Sequence, residues 1–219
     1  PKLVLDGQFA DSGVATNKGK VLSSLPVVQG TTNAIVTRWN TLYAKYEAVF
    51  DGTNFFYVPY TKEDAIGNAM QGMFSMEILF SPDGGVNPFS SMESGGLGYE
   101  MTSDNKLAFY YRANNKWVLP NNNFQIPIQV GQNAYYHAVV TYNKTTFRMY
   151  LNGNKVKEMK VSGSFNFPQK NQAPDYLMGI GGDYRDVVIP SIQNSFIGKI
   201  VYARLYKGVL SESDVKKMN

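Results

Sequence analysis

The sequence predicts an all-β protein: antiparallel strands in two sheets packed face to face, finished by a short C-terminal helix. Three observations predict it. Apolar and polar residues alternate with a period of two over many short segments, the mark of half-buried strands. Turn-forming pairs fall between those segments. The 219 residues include 20 Gly and 10 Pro, 14% are aromatic and only 17% are charged, which suits a turn-rich β protein with a weakly charged surface.

The elements follow in chain order. Residues 74–80 place Phe74, Met76, Ile78 and Phe80 on one face. Pro82-Asp83-Gly84-Gly85 then reads as a turn. Residues 107–112 set Leu107, Phe109 and Tyr111 against Ala108, Tyr110 and Arg112. Residues 135–142 set Tyr136, Ala138, Val140 and Tyr142 against Tyr135, His137, Val139 and Thr141. Residues 147–151 end in Asn152-Gly153, whose tolerance of positive φ predicts a type I′ hairpin. Residues 196–206 form a further long strand. Asp51-Gly52, Asp104-Asn105, Asn114-Asn115 and Asn143-Lys144 are the remaining turn pairs. Helix is scarce. Residues 211–218 carry a capping Ser211 with Asp214 three positions on, and Val215 and Met218 share a face. Residues 64–73 read as a short helix or loop insert. About 12–14 strands are expected. No linker, charge run or fixed-period repeat divides residues 1–219, so the chain reads as a single domain.

Composition excludes several chemistries. There is no cysteine, hence no disulfide, zinc–thiolate site or thiol nucleophile. His137 is the single histidine, so no multi-histidine metal site exists. The net charge is +4, but the 21 positive residues are scattered, and most are lysine. Nucleic-acid surfaces cluster their cations and favour Arg, so no nucleic-acid partner is expected. No apolar run approaches the ~20 residues of a membrane helix, so no membrane insertion is expected.

Several segments together resemble the laminin-G-like domains of the concanavalin A-like lectin/glucanase superfamily. They are Ala48-Val49-Phe50-Asp51-Gly52 with Phe56-Tyr57-Val58, the strand from Phe74 to Phe80, and Tyr135-Tyr136-His137-Ala138-Val139-Val140-Thr141-Tyr142 followed by Met149-Tyr150-Leu151-Asn152-Gly153. Met178-Gly179-Ile180-Gly181-Gly182-Asp183 and the stretch from Phe196 through Arg204-Leu205-Tyr206 to Leu210-Ser211 complete the series over about residues 48–217. The resemblance implies a jelly-roll sandwich. It implies a secreted bacterial setting, at the cell surface or in the periplasm, and recognition of carbohydrate or of a neighbouring domain of the same polypeptide. The segment Ser90-Ser91-Met92-Glu93-Ser94-Gly95-Gly96 is similar to domains appended to secreted bacterial enzymes. Many superfamily members hold a structural Ca2+ with loop carboxylates. Asp51 and Asp183, beside Gly52 and Gly182, are the matching candidates, with Asp186 near.

Residue chemistry narrows the site. Sugar binding needs flat apolar rings for C–H faces and polar groups for hydroxyls. Tyr110-Tyr111-Arg112-Ala113-Asn114-Asn115-Lys116-Trp117 carries both in one hairpin. The candidate ligand-binding residues are Tyr99, Tyr110, Arg112, Asn114, Trp117 and Tyr184, with the asparagines at 121–123 and Arg185 near. No catalytic residue is assigned. His137 lacks a Gly-x-Ser-x-Gly elbow, and its place in the aromatic-His strand reads as structural. The paired acids of the fold's glucanases, alternating on one strand, are missing around Glu77, and Glu93 or Glu100 could approach it only from a neighbouring strand. Glu77 therefore reads as an isolated surface or edge acid. The expected function is non-catalytic carbohydrate recognition. A glycoside hydrolase or lyase, and a docking module for a neighbouring catalytic domain, are the alternatives.

Overall fold

The strand from Phe74 to Gly85 organises the molecule, because its alternation gives one face to an aromatic core and the other to a buried polar cluster. The computed structural model describes residues 1–11, 13, 15–17, 28–29, 35–119, 124–168, 176–184 and 192–219. In chain order the elements are β1 (Lys2–Phe9), β2 (Ala15–Asn17), β3 (Val28–Gln29), β4 (Val36–Asn40), β5 (Lys45–Asp51), β6 (Phe56–Tyr60), α1 (Ala65–Gln71), β7 (Phe74–Gly85), β8 (Phe89–Ser91), α2 (Met92–Gly95) and β9 (Leu97–Met101). They continue with β10 (Lys106–Ala113), β11 (Lys116–Leu119), β12 (Gln125–Pro127), β13 (Tyr136–Tyr142), β14 (Thr146–Leu151), β15 (Asn154–Lys160), β16 (Tyr176–Ile180), β17 (Asp183–Tyr184), β18 (Ile192–Gln193), β19 (Phe196–Lys207) and α3 (Glu212–Met218).

Two antiparallel sheets enclose the core. The larger has nine strands in the order β15-β14-β13-β7-β19-β1-β5-β4, with β2 beside β1. The smaller has eight, in the order β11-β10-β9-β8-β16-β6-β3, with β12 beside β10. β17 and β18 pair separately. The non-sequential order is that of a jelly roll, as expected. The described residues form nineteen strands, more than the 12–14 expected; six are only two or three residues long, too short to show alternation in the sequence.

The core-facing residues are those the alternation assigns. Phe74, Met76, Ile78 and Phe80 from β7 meet Leu107, Phe109 and Tyr111 from β10. Phe74 sits in an aromatic cluster with Phe109, Tyr111, Tyr142 and Phe147, whose ring centroids lie 5.6–6.3 Å from its own. The hairpin at Asn152-Gly153 has positive φ at both residues (48° and 77°), as a type I′ turn requires. α3 begins with the capping box: the Ser211 hydroxyl accepts from the Asp214 N–H, and the Asp214 carboxylate accepts from the Ser211 N–H. α1 starts at the side chain of Asp64, which accepts from the N–H groups of Ile66 and Gly67.

One turn is corrected. Pro82-Asp83-Gly84-Gly85 does not end the strand; β7 runs on to Gly85, paired with β19 as far as Phe196. The pairing shifts register at Ile197/Gly198 and at Ile200/Tyr202, so β7 and β19 bend together. Pro82 is tolerated because it lies beside one of these bulges. At the far edge of the larger sheet, β15 carries Lys155, Lys157 and Lys160 and is largely exposed. Replacing Phe74 by Ala removes the ring shared by four aromatic neighbours. It is expected to lower the unfolding free energy by about 3–5 kcal/mol, measured by urea denaturation.

Candidate functional site

The β10–β11 hairpin builds an aromatic platform on the outer face of the smaller sheet. Because Leu107, Phe109 and Tyr111 point into the core, Tyr110 and Arg112 point out. Arg112 pairs with Trp117 in register, so the tryptophan stands on the same face. Trp117 is 39% exposed. Its ring meets Tyr110 edge-on, with centroids 5.9 Å apart and planes at 88°. The Tyr110 hydroxyl donates to Glu100 Oε1 at 3.2 Å. Burial and the adjacent Glu100 push the Tyr110 hydroxyl up to about 12, and burial raises the Glu100 carboxyl against the hydrogen bond from Tyr110. Arg112 Nε is buried and finds no partner among the described residues.

The hairpin tip is held in place. Asn114 and Asn115 both have positive φ, 49° and 59°. The Asn115 N–H donates to Asn166 Oδ1 (2.9 Å), and Asn166 Nδ2 donates to Asn115 Oδ1 (2.6 Å). Asn114 is thus a turn residue at the edge of the platform.

The other candidates are placed elsewhere. Tyr99 is corrected: it pairs with inward-facing Phe109, is fully buried, and donates its hydroxyl to the Met76 carbonyl at 2.6 Å. The parity of Leu97, Tyr99 and Met101 was the signal for this. Tyr184 lies in β17, but its side chain, residues 121–123, Arg185 and Asp186 lie outside the described residues. Asp51 is exposed and closes its own turn, accepting from the Thr53 N–H (2.8 Å) and hydroxyl (2.7 Å). Those hydrogen bonds hold its carboxyl below the usual range. Asp183 is fully buried and accepts from the N–H groups of Met92 and Glu93, at 3.0 and 2.9 Å. Asp51 thus faces an N–H and a hydroxyl of Thr53, and Asp183 faces two backbone N–H groups. Among the described residues no group of three His, Asp or Glu side chains could hold a metal ion.

Sequence reasoning missed a buried polar cluster on the outer face of the larger sheet. Glu77 is not a surface acid; it is fully buried, between the cover provided by α3 and that provided by Tyr43 and Tyr135. His137 Nε2 lies 2.8 Å from Glu77 Oε1, and the Tyr206 hydroxyl donates to Oε2 at 2.7 Å. Arg204 Nη1 is 3.6 Å from the same oxygen, while Arg204 Nε donates to Asp6 Oδ1 at 2.7 Å. The guanidinium also rests 4.0 Å from the centre of the Tyr202 ring. Burial works to raise the Glu77 carboxyl, but the His137 hydrogen bond, the Arg204 charge and the Tyr206 hydroxyl outweigh it and hold the group below its ordinary value. His137 is packed and hydrogen-bonded, as the sequence suggested.

Beside this cluster opens a cavity of about 370 Å³, lined by Leu42, Tyr43, Lys45, Tyr202, Asn152 and Met218 among others. A smaller hollow of about 210 Å³ adjoins it, lined by Gln8, Trp39, Ala44, Lys45 and Tyr46 among others. The acids that a glycosidase reading would need are separated. β7 has β13 and β19 as neighbours, so Glu77 and Glu100 stand on different sheets.

A family model described as the concanavalin A-like lectin/glucanases superfamily matches residues 72–216, which include Glu77, His137, Arg204 and Tyr206 of the polar cluster and the Trp117 hairpin. The chain belongs to that superfamily. No curated protein shows a significant match to the sequence. Among solved structures this superfamily member is similar to domain 4 of AbnA, a GH43 extracellular arabinanase from Geobacillus stearothermophilus, in complex with arabinotriose. Identity is 17%, coverage is 99% of this chain and 98% of that one, and the TM-score is 0.67. It is also similar to the binding domain of botulinum neurotoxin DC in complex with SialylT (14% identity, TM-score 0.65), covering 99% of this chain and 50% of that one. The binding domain of Paraclostridial Mosquitocidal Protein 1 is a third (14% identity, 99% and 51% coverage, TM-score 0.64). The chain spans about half the length of these toxin binding domains. At such identities the likeness establishes the jelly-roll fold.

Removing one partner from the buried cluster is expected to be costly. Glu77→Gln lowers stability by about 3 kcal/mol in urea denaturation at neutral pH. A carboxyl whose folded value is depressed contributes stability above its unfolded value, near 4.5, and loses it as pH falls through the folded value. The urea midpoint of the native sequence therefore drops in acid, and that of E77Q drops less.

Proposed function

We propose that this chain is a non-catalytic carbohydrate-recognition module that works outside a bacterial cell, with the outer face of the smaller sheet as its binding surface. The observation that carries the reading is the exposed Trp117 ring, set edge-on against Tyr110, with Glu100 and Arg112 beside it. A sugar ring stacks its C–H face on the indole, and its hydroxyls bond to the carboxylate and guanidinium. The pinned Asn114-Asn115 tip supports the reading, because a platform fixed before binding loses less entropy on association. The fold shared with an arabinanase domain seen with arabinotriose supports it further. Extracellular placement agrees with that neighbour, a domain of an extracellular enzyme.

A glycan array probed with the purified chain tests the reading. Binding to at least one oligosaccharide class is expected. Trp117→Ala should weaken it at least about tenfold, equivalent to about 1.4 kcal/mol, with unfolding unchanged. A folded chain that binds no glycan overturns the proposal.

A further inference from the structure

We infer that the β4–β5 turn, on the larger sheet, carries a second saccharide site with two adjoining subsites that meet at Lys45. The inference stands apart from the Trp117 platform. The cavity of about 370 Å³ and the hollow of about 210 Å³ share Lys45 as a common wall. The larger falls within the ~300–1,000 Å³ range of small-molecule sites.

Each subsite combines rings with hydrogen-bonding groups. The larger has Tyr43 and Tyr202 with Asn152 and Lys45, while His137 and Arg204 in its wall are held by Glu77 and Asp6. The smaller has Trp39, 53% exposed and edge-on to Tyr46 (5.1 Å, 73°), with Gln8. Rings beside an amide in each subsite match a ligand with apolar ring faces and hydroxyl edges. An anion fits less well, because Arg204 is already committed to Asp6 and Glu77. Lys45 makes no ion pair with Asp or Glu among the described residues, so its ammonium is available to donate to hydroxyls on either side.

The turn is built to hold this shape. Asn40 Oδ1 accepts from the N–H groups of Leu42 (3.0 Å) and Tyr43 (3.3 Å). Asn40 Nδ2 donates to Glu47 Oε2 at 2.7 Å, and the Tyr135 hydroxyl donates to the same oxygen at 2.6 Å. Ala44, which lines the smaller hollow, has φ of 49°, a left-handed conformation that a non-glycine residue adopts at a cost. Leu42, 74% exposed, lines the larger cavity.

The two tryptophans make the test direct, because one lies at each candidate site. Trp117→Phe leaves Trp39 as the only indole, and Trp39→Phe leaves Trp117. Each variant is titrated with arabinotriose, xylotriose, cellotriose, maltotriose and chitotriose while tryptophan emission is followed. The expected result is a saturable change in Trp39 emission with at least one trisaccharide. Adding Lys45→Ala or Tyr43→Ala to W117F should weaken that response at least about tenfold. Melting curves identify any variant that fails to fold, and K45A keeps the test open if Y43A does not fold. A Trp39 signal indifferent to every trisaccharide overturns the second site, even where Trp117 responds. A Trp39 response unaffected by K45A overturns the assigned junction. A response of Trp39 without one from Trp117 supports the second site and counts against the platform on the smaller sheet.

Discussion

The ionised carboxyl of Glu77 sits where water cannot reach it, and much of the larger sheet is arranged around that fact. An isolated buried carboxylate costs several kcal/mol, so it persists only with partners at fixed positions. Those partners come from β13, through His137, and from β19, through Arg204 and Tyr206. Arg204 in turn engages Asp6 on β1. Four strands thereby have their register fixed by one group. A slip of one residue in any of them would turn its polar member into the aromatic core.

That arrangement also positions the surfaces. α3 packs over one side of the cluster through Val215 and Met218, and Tyr43 and Tyr135 cover the other. The β4–β5 turn is held against the sheet through Glu47 and Tyr135, so its rings are fixed by contacts that reach back to β13. On the opposite sheet the hairpin bearing Trp117 takes its orientation from the parity of β10, whose alternate residues fill the same aromatic core.

What could be read from the sequence followed the range of the signal. The inward faces of β7, β10, β13 and β14, the Asn152-Gly153 turn and the capping box of α3 all depend on residues within a few positions of one another. The outward set of Tyr110, Arg112 and Trp117 was legible for the same reason. Glu77 was not, because its partners lie 60 and 129 residues away, and local neighbours such as Ser75 carry no sign of them. Trp39 and Tyr43 were passed over because no motif marks the β4–β5 turn; only the tertiary fold brings Tyr202, Asn152 and Gln8 beside it. Tyr99 was misjudged by chemistry rather than parity: its ring suits a sugar, but its position in β9 points it inward.

The lysines of β15 bear on how such a molecule behaves at high local density. An outermost strand offers unpaired backbone groups to any similar strand that approaches. Here Lys155, Lys157 and Lys160 outnumber the single acid, Glu158, along that margin. Two copies brought together there meet like charge before their main chains can zip into a shared ribbon. At high concentration that repulsion keeps neighbouring copies of the chain apart along this edge.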